Sequence, residues 1–188
     1  MAKFIDNGIE KFASYLRDRN NLDHITYLKV RLGMQTVMIN LTKMIVTYGV
    51  SLLLGIFLYT LTVHLTFLIL RFNAHGAHAK KPIYCHIFNL ILFIFLPWLV
   101  TLLKSDYIML ALALLGVALL IKFSPGITEK QPIPKKFHKK KKIIAVITAI
   151  ILIVISFFLN KPFSGLIYYG IFIIGILQLP IFFKKEEL

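Results

Sequence analysis

One cysteine, Cys85, one tryptophan and eight acidic residues stand in a chain of 188. A lone thiol excludes a disulfide within the chain, and it leaves Cys85 as the only thiol available to any chemistry. No HExxH pair is present, so the common zinc-protease arrangement is absent. No serine elbow, P-loop or Rossmann glycine pattern appears either. The first twenty residues, MAKFIDNGIEKFASYLRDRN, lack the short apolar core and small-residue cleavage site of a secretory signal. The shortage of acid leaves a net charge of +14. Such a charge suits nucleic acid, but the lysines flank apolar runs, where the positive-inside rule puts them. Nucleic acid is therefore not an expected partner, and the lipid bilayer is.

What is present in excess is hydrophobic sequence. The chain is 58% hydrophobic, with a mean hydropathy of +0.79, whereas soluble domains are usually about half apolar. The excess lies in long runs, which predicts an all-α, polytopic membrane helix bundle forming one domain, residues 1–188. Residues 1–31 read as amphipathic helices on the cytoplasmic surface. In 3–19, Phe4, Ile5, Ile9, Phe12, Ala13 and Leu16 share one helical face, and the other is too charged to cross a bilayer. Asn20-Asn21 ends that helix, and Asp23 is placed to cap the next. Residues 32–70 are too long for one crossing and suit a membrane hairpin turning near Tyr48–Ser51, around Gly49, or else one long tilted helix. The catalytic candidate stretch 71–86 follows. Two spans lie in 87–122 (87–103 and 106–122), a basic loop in 123–142, and two more spans in 143–183 (143–159 and 163–183). The count is about six membrane segments plus the N-terminal surface helix.

Charge orients them. With Lys184-Lys185 in the cytoplasm, the 160–161 turn is outside, the loop 123–142 inside, the 104–105 turn outside and the stretch 71–86 inside. All lysines and arginines except Lys43, Lys104 and Lys161 then face the cytoplasm. The expected location is the cell membrane, multi-pass, with both termini and the candidate stretch cytoplasmic.

That stretch, Arg71–His86, reads RFNAHGAHAKKPIYCH. It holds Cys85 and three of the six histidines, His75, His78 and His86, with His64 upstream. Proline suits the first turn of a helix, and an apolar run begins at Ile83, so a helix should start near Pro82 with Cys85 in its first turn. Free backbone N–H groups and the positive end of the helix dipole favour thiolate there, as do Lys80 and Lys81. A lone cysteine in a membrane helix is more often structural, but a basic, polar flank argues against that here. On one continuous helix His78 and Cys85 would stand about 10 Å apart. With Lys80-Lys81-Pro82 breaking the chain, the two side chains can meet, and histidine is the usual activator of a thiol nucleophile. From spacing alone, polar interfacial histidines remain an equal alternative. A membrane metalloenzyme using His75, His78, Cys85 and His86 as ligands is a further reading. A non-enzymatic transporter or sensor using Lys43 and His64 is another.

The segments RFNAHGAHAKKPIYC, YLRDRNNLDHITYLKVRLGMQ, KQPIPKK and LPIFF together resemble the AgrB (accessory gene regulator protein B) family of Gram-positive bacteria, in order and over essentially the whole chain. The resemblance implies a membrane cysteine endopeptidase of quorum sensing. Such a protein removes the C-terminal part of an AgrD-type propeptide and promotes closure of the remainder into a thiolactone or lactone. It implies His78 and Cys85 as the catalytic pair, no cofactor, no metal, and a homodimer. His75, Asn73, Lys80 and Lys81 are candidate supporting residues. The run Lys130, Lys135, Lys136, Lys139, Lys140, Lys141 and Lys142 reads first as topogenic charge beside anionic lipid. Its functional reading is a dock for an acidic propeptide tail. Gln131-Pro132-Ile133-Pro134 should be stiff and extended.

Overall fold

A computed structural model describes residues 3–76, 82–102, 106–126 and 134–182, with the side chains of 3–5 and 82–85 excepted. The protein is an all-α membrane bundle, and its described residues fall into two compact units, Met1–Gly49 and Val50–Leu188.

In the first unit, α1 (Lys3–Asn20) ends at Asn20-Asn21, where Asn21 takes a positive φ of 49°. Asp23 caps α2 (His24–Leu53): its Oδ2 accepts the Ile25 and Thr26 amides at 3.1 and 3.2 Å. Hydrogen bonding, chiefly from the Thr26 side chain, holds the Asp23 carboxyl below its ordinary value. The charged cap therefore persists at neutral pH and is lost only as acid protonates it. Ile9, Ala13 and Tyr27 are buried within the unit, and Arg31 pairs with Glu10 at 3.2 Å.

The long apolar region breaks at Gly55, six residues beyond the expected turn. Gly49 lies inside α2. Gly55 has φ +69° and donates to Leu52 O, while Ile56 donates to Ser51 O at 2.9 Å. This is the paired-carbonyl helix stop that a left-handed glycine permits. Apolar residues continue through both glycines, so periodicity does not tell them apart. Two helices, rather than one tilted one, cover the region.

The second unit contains α3 (Phe57–Ala74), α4 (Pro82–Leu90), a π turn (Ile91–Phe95), α5 (Leu96–Leu102), α6 (Asp106–Phe123), α7 (His138–Ser156) and α8 (Phe163–Ile176). Helix α8 is its centre. Every residue from Ser164 to Gly175 except Phe172 is buried, as expected of a helix apolar all round. Small residues bring its backbone against its neighbours: Gly175 meets Gly116 of α6, and Gly170 meets Thr66 of α3. The π turn answers Pro97. Leu96 donates five residues back to Ile91 O. In that register Pro97 would donate to Leu92 O, but it has no N–H. The Tyr169 hydroxyl donates to Leu92 O instead, at 3.1 Å.

Outward faces are as apolar as the core: Ile108, Leu115, Ile121, Ile151 and Val154 are exposed. Helices α2, α3 and α6 are each long and apolar enough to cross a membrane, and His86–Leu102 and Phe163–Ile176 are shorter apolar helices. Lys161, in the turn between α7 and α8, pairs with Asp106 at the start of α6 at 2.8 Å. That contact raises the Lys161 ammonium above its ordinary value and puts both residues at one end of the bundle.

Candidate active site

Arg71–Ala74 form the last turn of α3, with Asn73 half-buried, and His75 caps it. His75 has φ +57°, and its amide donates to Arg71 O at 2.9 Å. Gly76 follows at φ +120°. That conformation demands glycine, and an added Cβ there would also lie 2.8 Å from Arg71 Nη1 and from Gln178 Nε2, displacing both side-chain ends.

Four separate pieces of chain hold this turn. From α3, Arg71 Nη2 donates to Gly76 O at 2.9 Å. From the segment after α6, Gly126 accepts from the Gly76 amide at 3.2 Å and donates to Ala74 O at 2.9 Å, forming a one-residue parallel bridge. From the end of α8, Gln178 Nε2 donates to His75 O at 3.1 Å. From α7, Lys141 Nζ stands 2.9 Å from His75 Nε2. An ammonium only donates, so in this contact His75 Nε2 accepts and the ring proton sits on Nδ1. The strap thus occupies the histidine nitrogen that a base would use, and it surrounds the turn with the charges of Arg71 and Lys141.

The chain leaves this strap towards His78, Lys80 and Lys81, which lie outside the described residues. It re-enters as α4 at Pro82, the expected helix start. Cys85 is the fourth residue of that helix; its side chain, and hence its distance from His78, falls outside the description. His86 is half-buried on the same helix. Among the described residues no group of three His, Cys, Asp or Glu side chains can hold a metal ion. The four-ligand set conceived from sequence includes His78 and Cys85, so that result does not bear on it.

The basic run is not all loop. Lys130 lies outside the described residues, and Lys135 and Lys136 sit exposed on a 3-10 turn, Lys135–Phe137. Lys139, Lys140, Lys141 and Lys142 are in the first two turns of α7. Lysine is a good helix former, and the apolar run behind it anchors the helix. His64 is buried on α3 with its ring 4.7 Å from that of Phe93, a packing role; Lys43 is half-buried on α2.

Sequence reasoning passed over Arg71, Gly126 and Gln178 as parts of the strap. Gln178 carried a signal: it is the lone amide in an apolar run, and it is 1% exposed. A buried amide needs hydrogen-bond partners. Nothing local indicated that Gly126 would pair with a turn fifty residues upstream.

The profile of the accessory gene regulator B family matches residues 9–181. Accessory gene regulator protein B of Staphylococcus saprophyticus subsp. saprophyticus is 53% identical over 188 residues, covering all of both chains. The protein of that name from Staphylococcus haemolyticus is 49% identical over 98% of this chain and 99% of its own. The one from Staphylococcus aureus (strain bovine RF122) is 42% identical over 98% and 99%. No solved structure matches the chain.

Proposed function

The chain belongs to the accessory gene regulator B family, and we propose that it is a membrane cysteine endopeptidase of quorum sensing, with Cys85 as nucleophile and His78 as its base. One observation carries the reading: a hydrogen-bonded turn precedes the segment that holds His78, and a helix follows it. The strapped His75–Gly76 turn launches the chain towards His78, and α4 begins at Pro82 with Cys85 in its first turns. Catalysis needs such preorganised supports on both sides of a reacting pair.

The chemistry runs in two steps. Cys85 thiolate adds to the carbonyl of the scissile peptide bond, its proton having passed to His78. The C–N bond breaks, His78 returns the proton to the leaving amine, and the propeptide's N-terminal part remains as a thioester on Cys85. A thiol within that acyl group then passes its proton to His78, and its sulfur attacks the same carbonyl. Cys85 leaves as thiolate and a thiolactone closes. One thioester replaces another, so ring closure needs no ATP. Water must be kept out, since hydrolysis would give a linear product; a site at the membrane boundary provides that shielding. The test is reconstitution of the purified protein with an AgrD-type propeptide whose ring-forming cysteine is alanine. An acyl group should then accumulate on Cys85 as a mass addition equal to the N-terminal fragment. Cleavage without such an adduct, or loss of activity to a chelator alone, overturns the mechanism.

The basic turn supplies a dock for the propeptide's acidic tail, through Lys135, Lys136 and Lys140, which point into solvent. Lys130 belongs to the same dock, and Lys141 is engaged with His75. Lys135→Gln with Lys136→Gln should weaken propeptide binding at low salt, and the difference from wild type should shrink at high salt as screening removes it. A salt-independent loss would remove the docking role. Both termini and the site face the cytoplasm in this reading. Cysteines introduced as Lys140→Cys or Lys185→Cys in a Cys85→Ser background should label only from the cytoplasmic side, and Lys161→Cys only from outside. Labelling of Lys140→Cys from outside would invert the orientation.

A further inference from the structure

A cavity at the foot of α7 takes no part in the peptidase chemistry. Ser124, Pro125, His138, Lys139 and Lys142 line it, and its volume is about 380 Å³. The first turn of α7 holds no acidic residue and no side-chain cap. Lysines there crowd the positive end of the helix dipole, an arrangement that an anion relieves. Independently, Ser124 is 4% exposed, and its Oγ has no hydrogen-bond partner among the described residues. A buried hydroxyl without a partner is costly, and one lining a cationic cavity calls for an acceptor oxygen.

Depth identifies the anion. Ser124 directly follows Phe123, the last residue of the apolar helix α6. Lys142 directly precedes Ile143, where the apolar part of α7 begins. The two walls therefore stand at the same end of two adjoining apolar helices, at the level where a bilayer carries its phosphates. We propose that this cavity binds the phosphate group of an anionic phospholipid. The Ser124 hydroxyl donates to a phosphate oxygen, and the Lys139 and Lys142 ammonium groups pair with its charge. A zwitterionic headgroup brings its own cation to the same lysines and binds less well. Gly126 lies two residues beyond Ser124 and pairs with the His75–Gly76 turn, so an occupied cavity braces the strap. The proposal does not depend on the peptidase reading, and its test needs no activity.

The full-length protein, purified in a non-ionic detergent, is titrated with short-chain phosphatidylglycerol, phosphatidylcholine or inorganic phosphate while its thermal unfolding is followed. Phosphatidylglycerol should raise Tm saturably, and the other two should do so only weakly. Lys139→Gln and Lys142→Gln should each weaken the apparent affinity roughly fivefold, the factor one lysine contributes beside an anionic surface. Lys139→Arg with Lys142→Arg should restore it, and Ser124→Ala should weaken it without changing net charge. Lys135→Gln with Lys136→Gln, which removes two charges outside the cavity where each cavity variant removes one, should leave the response as in wild type. An equal loss in that pair would mean diffuse charge attraction and overturn the site. An equal response to inorganic phosphate would overturn the lipid assignment. Displacement of the lipid response by an acidic peptide at lower concentration would assign the cavity to a peptide carboxylate instead.

Discussion

Cys85→Ala will abolish propeptide cleavage and ring closure together, with a loss on the order of 10⁶-fold, as removal of a covalent nucleophile produces. In the proposed mechanism cleavage forms the thioester from which the ring then closes, so no variant at this position should separate the two. His78→Ala should lose about 10²–10⁴-fold, the usual contribution of positioned acid–base catalysis. Its residual activity should rise with pH, because an unassisted thiol with a pKa of about 8.5 is mostly protonated at neutral pH. His75→Ala should keep a measurable fraction, since the His75 ring faces Lys141 and its carbonyl, which Gln178 holds, survives the change. Propeptide cleavage, acyl-enzyme formation and cyclic product, each measured by mass spectrometry across a pH series, decide among these. Full cleavage by Cys85→Ala would remove the proposed nucleophile. Activity of His78→Ala with an unchanged pH profile would remove the proposed base.

Gly175→Ala should destabilise the bundle by about 3 kcal/mol or more, at or beyond the upper end of ordinary overpacking. The added Cβ would lie 2.6 Å from both Cα and O of Gly116. Those are backbone atoms and cannot swing aside, so α6 and α8 must separate. Gly116→Ala meets Ile171 O at 2.8 Å and Phe172 Cα at 2.9 Å and should behave alike. Gly33→Ala is the contrast: nothing lies within 4 Å of its added Cβ, so the change should stabilise α2 by up to about 1 kcal/mol through helix propensity. Thermal unfolding of the three variants in detergent is the measurement. A Gly175→Ala protein with wild-type Tm would mean that α6 and α8 do not approach this closely.

Local signals were read correctly where a single residue type dictates the backbone. Pro82 starts α4 because proline fits a first helical turn, and Asp23 caps α2 because a short carboxylate reaches the next two amides. Where two residues could serve, sequence alone failed. Gly49 and Gly55 both stand in unbroken apolar sequence, and only the hydrogen bonds to Ser51 and Leu52 pick Gly55 as the stop. The lysine run Lys139–Lys142 was read as the end of the long, proline-broken loop 123–142, yet it is helix because the apolar residues behind it are.

Composition and pattern by themselves determined that this is an all-α membrane chain, where its apolar helices lie, and that a lone cysteine follows a histidine-rich break. Those properties are sums over neighbouring residues, and neighbours suffice to state them. Tertiary structure alone decided that α8 is the buried centre and that Tyr169 replaces the donor Pro97 lacks. It alone brought Arg71, Gly126, Lys141 and Gln178 together on one turn. Each of these joins groups far apart in the chain by a hydrogen bond a few ångströms long, and the pairing is chosen by which buried polar groups are left to be satisfied once the helices have packed.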